Sequence, residues 1–161
     1  MQDMLVKLYE LPDARQLTER LATQGIAIRP ALAAEKQLVE QWIQREFGAG
    51  WASEASVCFS RQPVSCILAL EGQQILGFGC YETAYRNFFG PTGVLPQQRG
   101  RGIGKALLLH CLHAMKALGY GYAIIGGVGP ADFYRKAVGA TLIPGSDPGI
   151  YRGLLRGEEV D

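Results

Sequence analysis

The sequence predicts a single α/β domain, a mixed and mostly antiparallel sheet of about six or seven strands flanked by about four helices. Three observations carry that expectation. Residues Pro63–Leu70 and Gln74–Tyr81 are two strand-length runs joined by Glu71-Gly72-Gln73, a tight glycine turn of the hairpin kind. Residues Asn87–Val94 form a further strand, followed by a basic glycine-rich loop and then by apolar residues at helical spacing from Ile103 to Leu118. Tyr122–Val128 is an apolar run of strand length, as expected of a central strand buried on both faces.

Size and composition agree. A chain of 161 residues, 48% hydrophobic and 19% charged, is long enough for one well-filled core. Its net charge of +1 gives no reason to expect nucleic acid or an acidic membrane as the main partner. The N-terminus lacks a basic region followed by a long apolar run, and no apolar stretch reaches the length of a membrane span, so a cytoplasmic soluble protein is expected. Cys58, Cys66, Cys80 and Cys111 are irregularly spaced with no C-x-x-C pair, which fits reduced, buried thiols.

Taken in order, Asp13–Thr23 reads as a short helix with Leu17 and Leu21 on one side and Gly25 as its stop signal. Residues 1–25 are therefore read as an N-terminal helical extension, and residues 26–161 as the main domain. Ile26–Pro30 is an opening strand. From Leu32, the residues Leu38, Val39, Trp42, Ile43 and Phe47 mark an amphipathic helix ending near Gly48, with Trp42 in the core. Residues 50–55 show little periodicity and are read as holding a turn of helix. Gly77 and Gly79 remove side chains from one face of the second hairpin strand, which implies close approach by a helix or ligand.

In the helix from Ile103, Leu107, Leu108, Cys111, Met115 and Leu118 face the sheet. His110 and His113 lie three apart on it, but no third ligand completes a set, so no metal is expected. Pro130 opens a last helix that Gly139 closes. Residues 140–143 and 150–155 are read as a terminal pair of strands around the turn-rich 144–149.

The loop Val94-Leu95-Pro96-Gln97-Gln98-Arg99-Gly100-Arg101-Gly102-Ile103-Gly104-Lys105 carries the chemistry. Unsatisfied amides at a helix N-terminus suit an anion, glycines let backbone approach it, and Arg99, Arg101 and Lys105 add positive charge. A diphosphate is the expected occupant. The Walker A pattern fails at Arg99 and Ala106, and G-x-G-x-G is not the dinucleotide fingerprint.

Arg99-Gly100-Arg101-Gly102-Ile103-Gly104, with Val94-Leu95-Pro96 upstream, resembles the acyl-CoA-binding motif of the GNAT superfamily of N-acetyltransferases. The pattern there is [Q/R]-x-x-G-x-[G/A] after a strand ending in V-x-P. Residues 131–140 resemble the second landmark of that family, with Ala140 where an aromatic is usual. The likeness covers residues 26–155.

What the resemblance implies is an acetyl-CoA-dependent N-acetyltransferase acting by direct transfer to a primary amine. Arg99, Gly100, Arg101, Gly102, Ile103, Gly104 and Lys105 would hold the diphosphate, and Val94 and Leu95 the pantetheine arm. That arm would enter where the strands 87–94 and 122–128 splay. A backbone amide near Val94 or Leu95 would meet the oxyanion, and Tyr134 would protonate the leaving thiolate. Glu82 is the first choice for the base, with Glu54 second and Asp132 a distant third. Trp51, Tyr81, Tyr85, Phe88 and Tyr151 are expected around the acceptor. A homodimer is compatible with the family. The alternative is a non-catalytic module that binds or senses acyl-CoA.

Overall fold

The computed structural model describes residues 1–157. Its chain order is β1 (Met4–Lys7), α1 (Arg15–Thr23), β2 (Ile26–Pro30), α2 (Lys36–Phe47), α3 (Ala49–Ser56), β3 (Cys66–Glu71), β4 (Gln74–Tyr81), β5 (Phe88–Val94), α4 (Ile103–Ala117), β6 (Tyr122–Ile125), α5 (Ala131–Val138) and β7 (Thr141–Leu142). The strands form one seven-stranded sheet in the order β2-β3-β4-β5-β6-β1-β7. Every pairing is antiparallel except β5 with β6, which run parallel and meet only at Phe88↔Ile124 and Phe89↔Ile125.

The sheet separates two apolar layers. On one side α4 buries Ile103, Leu107, Leu108, Cys111, Leu112 and Met115 against Leu76, Tyr81 and Phe89. On the other, α2 and α3 bring Val39, Trp42, Ile43, Ala52 and Ala55 onto Leu68, Ile75, Phe78 and Cys80. Alternation along β4, reset by a bulge at Leu76, makes this possible, since successive side chains of a regular strand point to opposite faces. The two glycines of β4 admit a helix. A Cβ on Gly77 would stand 3.1 Å from Leu107 Cδ1, and one on Gly79 3.2 Å from Cys111 Sγ. All four cysteines are buried free thiols.

Three expectations need correction. Residues 1–25 contain the helix expected there, but they also supply β1, which lies inside the sheet between β6 and β7. Its four residues are too few to announce a strand, although Met4 and Val6 are wholly buried in alternation. Residues 150–155 form no strand. Gly149–Tyr151 is a 3-10 turn, and β7 pairs with β1 instead, in a stretch where Pro144, Pro148 and Gly149 leave little room for a ladder. Residues 49–56 make a full helix instead of a single turn.

The histidines of α4 face α1. His110 Nε2 lies 2.9 Å from Thr18 Oγ1, whose hydroxyl donates to the Ala14 carbonyl at 2.7 Å, so the imidazole N–H is the donor to Thr18. His113 Nε2 donates to the Pro12 carbonyl at 2.8 Å. These contacts fasten α1 along α4.

Burial holds the His110 pKa below its ordinary value. The unfolded chain therefore takes up this proton first, and the stability that neutral His110 contributes is lost as pH falls below about 6.5. Thermal unfolding between pH 7.5 and pH 5.5 should show a drop in Tm that is smaller in His110→Gln. An equal drop in the variant would assign the loss elsewhere.

Candidate functional site

The loop after β5 turns through a 3-10 segment, Pro96–Gln98, and reaches α4 through Gly100 and Gly102 at φ 82° and 88°. Both lie in the left-handed region, which glycine enters without strain. The first intrahelical bond of α4 runs from the Ala106 N–H to the Gly102 carbonyl at 3.0 Å. The N–H groups of Ile103, Gly104 and Lys105 therefore have no carbonyl of the helix to meet, the geometry that favours an anion.

Around these amides stand four cations. Arg99 Nε reaches the Val94 carbonyl at 3.3 Å, while Arg101 is held by Gln98 Oε1 at 2.6 Å and Gln24 Oε1 at 3.3 Å. Arg20 Nη2 donates to the Arg101 carbonyl at 3.4 Å. Among the described residues, Arg20, Arg99, Arg101 and Lys105 form no ion pair with a carboxylate. Arg20 and Gln24 were not among the residues expected here. Arg20 belongs to α1 and Gln24 caps its C-terminus, both far away in sequence, and no motif marks them.

The open edge lies upstream of the loop. Leu95 N–H donates to the Leu76 carbonyl at 2.9 Å, so by the alternation of an antiparallel ladder the backbone groups of Val94 and Thr92 turn away from β4. They face the side that β6 has left. Of the two amides expected to meet an oxyanion, Leu95's is thus engaged within the sheet and Val94's points outward.

β6 is drawn off at its end. Gly127 N–H donates to Asp3 Oδ1 at 2.8 Å and Val128 N–H to the Gln2 carbonyl at 2.9 Å, so the chain beyond Ile125 follows β1.

Tyr134 sits at the apex of this wedge. Its ring packs edge-on against Phe89, where β5 and β6 still pair, with centroids 6.4 Å apart, and against Phe133 at 5.1 Å. Its hydroxyl makes no hydrogen bond to a described residue, and burial pushes its pKa up to about 12. Phe133 reaches back to the loop, since a Cβ on Gly104 would stand 3.9 Å from its ring and 3.7 Å from Val94 Cγ2.

The carboxylates are divided. Glu82, 5% exposed and at φ 60°, is ion-paired with Arg61 through Oε2, while Oε1 is buried without a hydrogen-bond partner among the described residues. Glu54 Oε1 accepts the Tyr151 hydroxyl at 2.7 Å, and burial, reinforced by Glu54, raises the pKa of that phenol. Asp132 is ion-paired with Arg135 along the exposed side of α5.

The expected acceptor aromatics divide too. Tyr81 does not join the others, because it is buried in the α4-side core. Phe88 packs against Tyr85 at a tilt, with centroids 5.8 Å apart, and lies against Gly126, where a Cβ would stand 3.3 Å from its ring. Asp3 Oδ2 is 3.4 Å from where a Cβ on Gly149 would be, two residues before Tyr151. Glu54, Tyr151, Asp3, Phe88 and Tyr85 thus follow one another across the splayed strands. Trp51 lies one helical turn before Glu54 and stacks on Phe47 at 5.5 Å. A separate groove of about 430 Å³ between α2 and the β3–β4 turn touches this region only at Leu95.

Among the described residues no helix is long and apolar enough to cross a membrane. No curated protein sequence matches this one. The fold is that of several solved structures. A GCN5-related glucosamine N-acetyltransferase region of a fungal multi-domain GH3 β-N-acetylglucosaminidase superposes with a TM-score of 0.72 at 16% identity, over 88% of this chain and 19% of that one. A GCN5-related N-acetyltransferase from Sphaerobacter thermophilus gives 0.62 at 21% identity, over 88% and 48%. A GNAT family acetyltransferase from Brucella melitensis, solved in complex with acetyl-CoA, gives 0.56 at 18% identity, over 73% and 86%. The chain thus spans less than half the length of the first two. The sequence model of the acetyltransferase (GNAT) family matches residues 33–140, which include the loop, the splayed strands and Tyr134, and the chain belongs to that family.

Proposed function

We propose that the protein transfers an acetyl group from acetyl-CoA directly to a primary amine. The observation that carries this reading is a single one: the basic glycine loop opens straight onto the unpaired edge of β5, with Tyr134 at the point where β6 departs. Acetyl-CoA supplies the activated thioester. Four cations without carboxylate partners among the described residues and three unmatched helix amides fit its diphosphate, and the outward N–H of Val94 and backbone of Thr92 fit the amides of a pantetheine arm.

The amine attacks the thioester carbonyl, and its oxygen gains negative charge. Outward N–H groups on β5 are the available donors to it, Val94's among them. As the C–S bond breaks, Tyr134 gives its phenolic proton to the departing sulfur. A hydroxyl with pKa near 12 remains protonated at neutral pH, so it is always in the donating form.

The amine itself, with a pKa of about 10.4, arrives mostly as ammonium and must lose a proton before attack. Glu82 is already bound to Arg61, whereas Glu54 is half-buried, faces Tyr151 and stands on the side of the sheet away from α4. We assign the proton acceptor to Glu54, acting directly or through water. Asp3, Phe88, Tyr85 and Trp51 border the same side, which suits an acceptor with both cationic and apolar character.

A module that only binds acyl-CoA needs the loop but not Tyr134. Tyr134→Phe should lower kcat by about 10²-fold or more while leaving the Kd for CoA within about twofold. Unchanged turnover would remove Tyr134 from the chemistry. For the base, Glu54→Gln should lower kcat/KM by about 10²-fold or more, and Glu82→Gln should leave it within about threefold. The opposite pattern would move the base to Glu82.

A further inference from the structure

Residues 1–25 precede the family-matched region, yet α1 lies directly over the loop. We propose that Arg20 of α1 is a ligand for a phosphate group at the nucleotide end of CoA, so that the N-terminal segment completes the cofactor site. This rests on the acetyl-CoA reading above.

Position is the first reason. A Cβ on Gly102 would stand 2.7 Å from Arg20 Nη2 and 2.9 Å from Leu17 Cδ1, so the absent side chain of the motif's central glycine is the space that α1 fills. The guanidinium therefore lies beside the N-terminal turn of α4, at the edge of the group of free amides.

Charge is the second. Arg20 shares this small surface with Arg99, Arg101 and Lys105, and none of the four is ion-paired with a described carboxylate. Like charges at this spacing repel, and an arriving anion relieves all four at once. Among the described residues the Arg20 side chain gives one hydrogen bond, a long one of 3.4 Å to the Arg101 carbonyl, so most of its five N–H donors have no described partner.

Rigidity is the third. Thr18 is fastened to His110 and Pro12 to His113, so the backbone carrying Arg20 is fixed relative to α4. Gln24, one turn further on, holds Arg101 at 3.3 Å and ties the end of α1 to the same loop. A phosphate reached by Arg20 would then receive a guanidinium already in place, in the geometry that phosphate oxygens favour.

Two phosphate sources exist in CoA, the diphosphate and the 3′-phosphate, and isothermal titration of the full chain with CoA and with 3′-dephospho-CoA separates them. Arg20→Ala and Arg20→Gln are the variants, the second keeping an N–H for the Arg101 carbonyl while removing the charge. Both should bind CoA about 10-fold or more weakly than the unaltered protein. If the loss disappears with 3′-dephospho-CoA, Arg20 holds the 3′-phosphate; if it persists, Arg20 holds the diphosphate. CoA affinity within twofold of the unaltered protein for both variants would overturn the assignment. So would a loss confined to Arg20→Ala, because that is what a merely structural contact to the loop predicts. Absence of CoA binding by the unaltered protein would instead defeat the acetyl-CoA reading itself.

Discussion

The parting of β5 and β6 is the constraint on which the rest of the molecule depends. Backbone N–H and C=O groups inside a protein need partners, and a central strand normally finds them on both sides. Here the parallel ladder stops after Phe89↔Ile125 while β5 continues to Val94. The departure has a cause on the β6 side: Asp3 and Gln2 hold Gly127 and Val128 toward β1. What remains is an edge in the middle of a sheet, suited to a ligand that is itself a chain of amides.

The loop makes that edge specific. It begins where β5 ends and delivers the chain into α4 with its first amides free, so in the proposed reading one continuous stretch would serve both the arm and the phosphates of acetyl-CoA. The tight approach of α4 to the sheet, made possible by Gly77 and Gly79, sets the depth of the wedge, and Tyr134 closes its narrow end. The same desolvation that keeps the phenol neutral also strengthens any hydrogen bond it gives to a developing charge.

Much of this was legible in the sequence because its signals are local. The β3–β4 hairpin, the strand-loop-helix unit around Arg99–Gly104 and the helix bearing Tyr134 each announce themselves through periodicity or glycine placement within a short window. Non-local features escaped. β1 is only four residues long and acquires its meaning from pairing with β6, more than a hundred residues later. Arg20 is one of two exposed arginines on a short helix until the fold lays it against Gly102. Tyr81 and Glu82 looked like neighbours at a strand end, but side-chain alternation sends Tyr81 into the α4-side core, and Glu82 is fixed by Arg61, a residue no pattern connects to it.

The most direct test of the central claim is thermal unfolding of the unaltered protein with acetyl-CoA, CoA, Mg-ATP and NAD at matched excess. A ligand present at 100 times its Kd adds about 2.7 kcal/mol, which corresponds to several degrees for a domain of this size. The account predicts a rise in Tm with acetyl-CoA and CoA and none with the other two. No rise with either CoA ligand, or a larger one with Mg-ATP, would contradict it.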